Sequence, residues 1–77
     1  MNAVDGYAVI LEKSATGYGA YCPDVLGCVA TGATREEALE QYAEALAFHF
    51  EGLREDGDPI PEPTTLVATV PVPAAAA

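Results

Sequence analysis

Few side chains in this sequence stand where covalent or acid–base chemistry could use them. Cys22 and Cys28 are separated by Pro23-Asp24-Val25-Leu26-Gly27, a spacing that matches no recognised zinc or redox motif. A zinc site needs two further ligands, and His49, the sole histidine, does not complete one. Both cysteines read as free thiols near or under a sheet. His49 falls inside an apolar helical stripe with no nucleophile or second base in its pattern, and it reads as packing rather than as a general base. Asp24 sits between Pro23 and Gly27, where a carboxylate commonly accepts from its own turn backbone. A metal-dependent hydrolase would need Asp5, Asp24 and a helix glutamate such as Glu37 to converge. The pattern assigns no second convergent carboxylate, so no catalytic residue, metal ligand or cofactor is expected, and the residue types favour a binding module.

The elements that must position these residues follow from periodicity and punctuation. Gly6 to Lys13 is rich in β-formers, Ser14 to Gly17 supplies turn chemistry, and Tyr18 to Cys22 resumes an extended pattern, which together predict an antiparallel hairpin. Pro23, Asp24 and Gly27 predict a tight corner over PDVLG, with a third strand over Cys28 to Thr31. Thr34-Arg35-Glu36-Glu37 matches a capping box, with the Thr34 hydroxyl accepting from the Glu37 amide and the Glu37 side chain reaching back to the Thr34 amide. The helix it starts carries an apolar stripe at Ala38, Leu39, Tyr42, Ala45, Leu46, His49, Phe50 and Leu53, with Glu37, Glu40, Glu44, Glu51 and Glu55 opposite. Gly57 and Pro59 predict its end near Asp56. Pro59, Pro61 and Pro63 make a stiff connector, and Thr64 to Val70 predicts an edge strand that returns to the sheet. The expected fold is α+β, a β-β-β-α-β two-layer domain with an antiparallel sheet and one helix on one face, spanning residues 1–70. Residues 71–77 are expected to be a disordered Pro/Ala tail.

Composition narrows the function. The chain has 77 residues and a net charge of −9, with 12 acidic residues against three basic ones. That balance argues against general affinity for nucleic acid, since phosphate contacts need Lys and Arg, and suits solubility or a basic protein partner. Of the 51% apolar residues, many are alanine, including the run Ala74 to Ala77, so the core must be thin and association is an expected source of extra stability. No signal peptide or membrane span is expected, and a cytoplasmic location follows. Both parities of the first strand are apolar, with Tyr7, Val9 and Leu11 on one and Ala8 and Ile10 on the other. One helix cannot cover two faces, so a dimer or higher assembly through the uncovered face or an edge is expected. Phe48 falls among polar helix positions, where it covers a loop or meets another chain. Tyr7, Val9, Tyr21 and Phe48 are the candidate contacts with a partner or a second copy.

Four groups of residues, taken in order, resemble the HicB-like antitoxin family: Tyr21 in the hairpin, then Pro23, Asp24, Gly27 and Cys28, then Gly32, Thr34, Glu37 and Ala38, then Ile60, Pro61 and Pro63. The likeness runs from about Asp5 to Val70. It implies a partial RNase H-like fold without the nuclease site, acting as the antidote of a type II toxin–antitoxin pair. The implied partner is a small basic HicA-like toxin that cleaves messenger RNA using a histidine. The same fold could also serve as an orphan oligomer with another partner. Leu26 stands where the family pattern usually has proline. Many relatives continue into a helix-turn-helix or ribbon-helix-helix segment that binds a promoter, whereas this sequence runs into PVPAAAA, so direct DNA binding is not expected.

Overall fold

A computed structural model describes residues 6–74 and contains β1 (Ile10–Ser14), β2 (Gly17–Cys22), β3 (Val25–Gly32) and α1 (Arg35–Asp56), in that order. Asp5, the residues before it and Ala75 to Ala77 of the expected tail lie outside the described residues. The three strands form one antiparallel sheet in the order β1-β2-β3, and α1 packs on one face of it. This is the α+β arrangement the sequence pattern predicts.

Register follows from the turns. Ser14 pairs with Gly17, leaving Ala15-Thr16 as a two-residue hairpin loop, and Cys22 pairs with Val25 across Pro23-Asp24. The corner is therefore tighter than the five-residue PDVLG, and β3 begins at Val25 rather than Cys28. Tyr21 pairs with Val29, so Leu26, Gly27 and Cys28 are extra residues on β3 relative to β2. Gly27 takes a φ of 81° inside this irregularity, so its left-handed backbone serves a bulge and not the turn itself.

Alternation decides which side chains the helix covers. Ala20 and Cys22 of β2, with Val25 and Cys28 of β3, meet Ala38 and Tyr42 of α1 in the buried core, and Tyr7, Val9, Leu11, Ala45, Leu46 and Phe50 pack around it. Leu39, placed in the helical stripe by periodicity, is 44% exposed and lies at its margin. Gly32 ends β3 directly beneath the first turn of α1. A Cβ there would stand 2.4 Å from the Ala38 amide nitrogen and 2.9 Å from its Cα, so the helix can approach this strand only because residue 32 has no side chain.

The helix ends are closed as the sequence indicates, with one change of partner. Thr34 Oγ1 accepts from the Glu37 amide at 3.1 Å, while Glu37 Oε1 accepts from the Ala33 amide at 2.5 Å, one residue before the expected Thr34 amide. At the other end Gly57 adopts φ 74°, donating to the Arg54 carbonyl at 3.1 Å, while Asp58 donates to the Leu53 carbonyl at 2.9 Å. This pair is the Schellman pattern.

Two expectations about the chain ends are corrected. The ladder of β1 starts at Ile10, its last pair with β2 being Ile10 with Tyr21, so Gly6 to Val9 precede the strand. The expected fifth element is absent as a strand: residues 58–73 have no ladder, so the order is β-β-β-α followed by an extended connector. The reason is local competition. The Thr64 and Thr65 amides donate to a carboxylate instead of to a neighbouring strand, and Pro63 and Pro71 remove donors on either side.

Candidate functional site

The carboxylate of Asp24 is the most heavily engaged polar group in the described residues. Its Oδ2 accepts from the amides of Thr64 and Thr65, each at 2.9 Å. Its Oδ1 accepts from the two hydroxyls, Thr64 Oγ1 at 3.1 Å and Thr65 Oγ1 at 2.8 Å. Four donors fill the capacity of an ionised carboxylate. The hydrogen bonds, led by that from the Thr65 backbone, hold its pKa below the ordinary 3.8. An acceptor so occupied is poorly suited to abstract a proton or ligate a metal; it fastens the β2–β3 turn to the connector forty residues on. Sequence reasoning placed this acceptor in its own turn and missed the partner. The available signal was the Thr64-Thr65 pair directly after the proline-rich connector.

A second clasp fixes the same connector. The Tyr7 hydroxyl donates to the Pro61 carbonyl, and the Tyr7 ring tilts against Phe50 with centroids 5.3 Å apart. Tyr7 and Val9, expected as contacts with another chain, are half-buried and pack around the core on the helix-covered side. The alternation that placed them together was right, but the pattern could not say which parity the helix takes.

Asp24 and Glu37 do not converge. They stand beyond opposite ends of β3, and Glu37 is spent on the Ala33 amide; Asp5 lies outside the described residues. Among the described residues no group of three His, Cys, Asp or Glu side chains is arranged to hold a metal ion. Cys22 and Cys28 are free and buried, flanking the hydroxyl of Tyr42. That hydroxyl is buried without a hydrogen bond of acceptable geometry. Burial first, then the adjacent Cys28 and Cys22 thiols, pushes its phenol far above the ordinary tyrosine range. His49 is half-buried with its ring 6.2 Å from that of Phe50.

What remains open is surface able to bind. Ile10, Tyr21 and Val29 form one cross-strand row, of opposite parity to the buried Ala20 and Cys22, with Tyr21 38% and Val29 70% exposed. Leu26 in the bulge is 87% and Phe48 on the helix 80% exposed. Phe48 borders an open groove of about 450 Å³ between α1 and β3, lined also by Gly27, Val29, Ala45, Gly52 and Leu53. Glu40, Glu44, Glu51 and Glu55 point to solvent along the helix. No helix of the described residues is long and apolar enough to cross a membrane.

Comparison with known proteins gives a concordant picture. The family model described as "HicB_like antitoxin of bacterial toxin-antitoxin system" matches residues 7–75. An uncharacterised 14.9 kDa protein from the rep-hol intergenic region of Haemophilus phage HP1 is 41% identical over 56 residues, 73% of this chain and 42% of that protein. Antitoxin HicB 2 of Photorhabdus laumondii is 40% identical over 72 residues, 92% of this chain and 52% of the antitoxin. The chain thus spans about half the length of these two relatives or less. A solved chain from a HicA3 and HicB3 toxin–antitoxin complex superposes with a TM-score of 0.66 at 34% identity, covering 77% of this chain and 69% of that one.

Proposed function

Since this chain belongs to the HicB-like antitoxin family, we propose that it is a non-catalytic binding module, the antitoxin that neutralises a small basic HicA-like mRNA-cleaving toxin by direct contact. The observation that carries this reading is the family match over residues 7–75, supported by the 34% identical neighbour solved as part of a toxin–antitoxin complex. The physical features are compatible with it. A net charge of −9 steers a basic partner towards the chain, and the Ile10-Tyr21-Val29 row offers exposed apolar area. Of the acidic groups that a hydrolase would need, Asp24 and Glu37 are spent on holding the fold, which favours binding over bond breaking.

In this reading the protein acts in the cytoplasm, where its toxin meets messenger RNA. It acts as a dimer or higher oligomer, because a domain with so small a core gains from burying more surface on assembly. Contact with promoter DNA is not part of the proposed role.

Co-expression with a small basic HicA-like toxin is the test. The expected result is rescue of growth and co-purification of the pair. Failure of both, with each protein folded and soluble, overturns the antitoxin reading.

A further inference from the structure

Among the described residues, Leu66 to Pro73 make no hydrogen bond to the rest of the chain. Residues 66–74 are all exposed, with Leu66 and Val67 at 60%, Val72 at 78% and Val70 at 81%. Their origin is nevertheless fixed, because Asp24 and Tyr7 pin the connector at Thr64, Thr65 and Pro61. The result is an arm on a rigid base. The radius of gyration is 15.1 Å and the longest extent 53 Å, against the roughly 11–12 Å radius that a compact chain of this length would have.

The same molecule carries a vacancy that fits such an arm. β3 is an edge strand, so one row of its backbone groups is free to pair. Beside that edge runs the groove lined by Val29, Ala45, Phe48 and Leu53. In an extended arm Leu66, Ala68, Val70 and Val72 share one face. When the backbone groups of 66, 68 and 70 face a neighbouring strand, those of Pro71 face outward, where a missing amide costs no ladder bond.

Charge identifies the occupant. From Pro63 to Ala77 the sequence has no charged residue, although the chain as a whole carries −9. Two copies repel one another through their helix glutamates, whereas the uncharged arm meets the uncharged stretch from Val25 to Thr34 that carries the β3 edge of another copy without that repulsion. In the single chain the arm is exposed rather than seated in its own groove.

We propose that two copies of this chain associate by reciprocal exchange of their C-terminal arms, with Leu66 to Val70 of each adding a strand to the β3 edge of the other and filling the groove beside Phe48. The contact is isologous and closes as a dimer. It is a strand-addition interface, in which backbone pairing supplies affinity and the groove supplies register. The inference deepens the oligomeric part of the proposed function and needs no toxin. A toxin that fails to bind leaves it standing, and a monomer that still captures toxin overturns this inference alone.

Sedimentation velocity of the full chain over the micromolar range tests it. The wild type is expected to sediment as a dimer, and Val70→Asp and Phe48→Glu are each expected to weaken association by roughly tenfold or more, as losses at central apolar contacts do. Both positions are solvent-exposed in the single chain, so far-ultraviolet circular dichroism should match the wild type. Mixing supplies the decisive readout. A Val70→Asp copy keeps an intact groove and a Phe48→Glu copy keeps an intact arm, so the mixture regains one good contact and associates more tightly than either variant alone. A wild-type monomer overturns the proposal, whether its arm is free or folded onto its own β3. A dimer indifferent to both substitutions, or a mixture no tighter than its components, overturns it equally.

Discussion

Replacing Gly32 by alanine tests the close approach of α1 to β3. The added Cβ would lie 2.4 Å from the Ala38 nitrogen, 2.8 Å from the Glu37 carbonyl carbon and 2.9 Å from the Ala38 Cα. All three are backbone atoms, so no side-chain rotation relieves the overlap, and ordinary contact begins at 3.4 Å. The first turn of α1 must move away from β3 by an amount on the order of 1 Å, the gap between those distances. That movement lifts Ala38 and Tyr42, 0% and 1% exposed, from the core and strains the Thr34–Glu37 cap. Overpacking of a well-packed site costs about 1–3 kcal/mol, and a domain of this size has a total stability of roughly 4–12 kcal/mol. At about 4–8 °C per kcal/mol for a domain of 60–100 residues, Tm should fall by some 4–24 °C. Thermal melts followed by circular dichroism, with urea titration for ΔG, are the assay. A Gly32→Ala protein within about 0.5 kcal/mol of wild type, the usual range of an indifferent surface change, would refute the claim that this strand and helix touch backbone to backbone.

Four further outcomes are expected. Asp24→Ala should release the connector, read as faster amide hydrogen exchange at Thr64 and Thr65 with the exchange of β1 and β2 little changed. In the wild type the same release should come with acid: the folded pKa of Asp24 is depressed, so its contribution is present above pH 3.8 and fades as pH falls through the lower folded value. Tyr42→Phe removes a buried hydroxyl that lacks a partner and should be neutral or stabilising by about 1 kcal/mol. Because the Tyr42 phenol is raised in the fold, the wild type should also lose stability relative to this variant as pH climbs above about 10, and parallel urea curves at pH 7 and in alkali check both points. Gly52→Ala, at an exposed helix position with nothing within 4 Å of the new Cβ, should raise stability by about 0.5–1 kcal/mol in the same titration, whereas Thr34→Ala should lower it by about 0.5–2 kcal/mol.

The legible part of this protein is the part governed by short-range rules. The capping residues, the Gly57 stop, the Ser14–Gly17 hairpin and the helix stripe all come from interactions within a few positions of each other, and each appears within a residue or two of where the pattern puts it. What the sequence hid is the partner choice of groups that act at a distance. Asp24 looks like a turn acceptor because its neighbours are turn residues, yet its donors are Thr64 and Thr65, and nothing local to either end signals the other. The TTLVATV run has every propensity for a strand, but propensity favours extended backbone without saying what it pairs with. Once the two threonine amides commit to a carboxylate, the ladder cannot begin there. The parity of β1 was ambiguous for a related reason: with both sides apolar, only the helix position decides that Tyr7, Val9 and Leu11 are covered, leaving Ile10 in the outer row with Tyr21.

That division also explains why Asp24 and Tyr7 serve structure. A domain with so few large side chains in its core cannot hold a long proline-rich connector by burial, since residues 58–74 offer little that is covered. Directional bonds substitute: one saturated carboxylate and one tyrosine hydroxyl fix the connector at two points. A carboxylate used in this way must stay ionised and filled, which is the opposite of what acid–base catalysis asks of it. The cost of ordering the connector is repaid only if what it positions is useful, and what it positions is the neutral, apolar arm of an otherwise acidic chain. Fixing the base of the arm lowers the entropy lost when the arm docks, so the Asp24 clasp should act on association as well as on local order. Asp24→Ala is then expected to weaken self-association although residue 24 lies outside both the groove and the arm. Sedimentation that finds the variant as dimeric as the wild type, with its Thr64 and Thr65 amides demonstrably released, would separate the clasp from assembly.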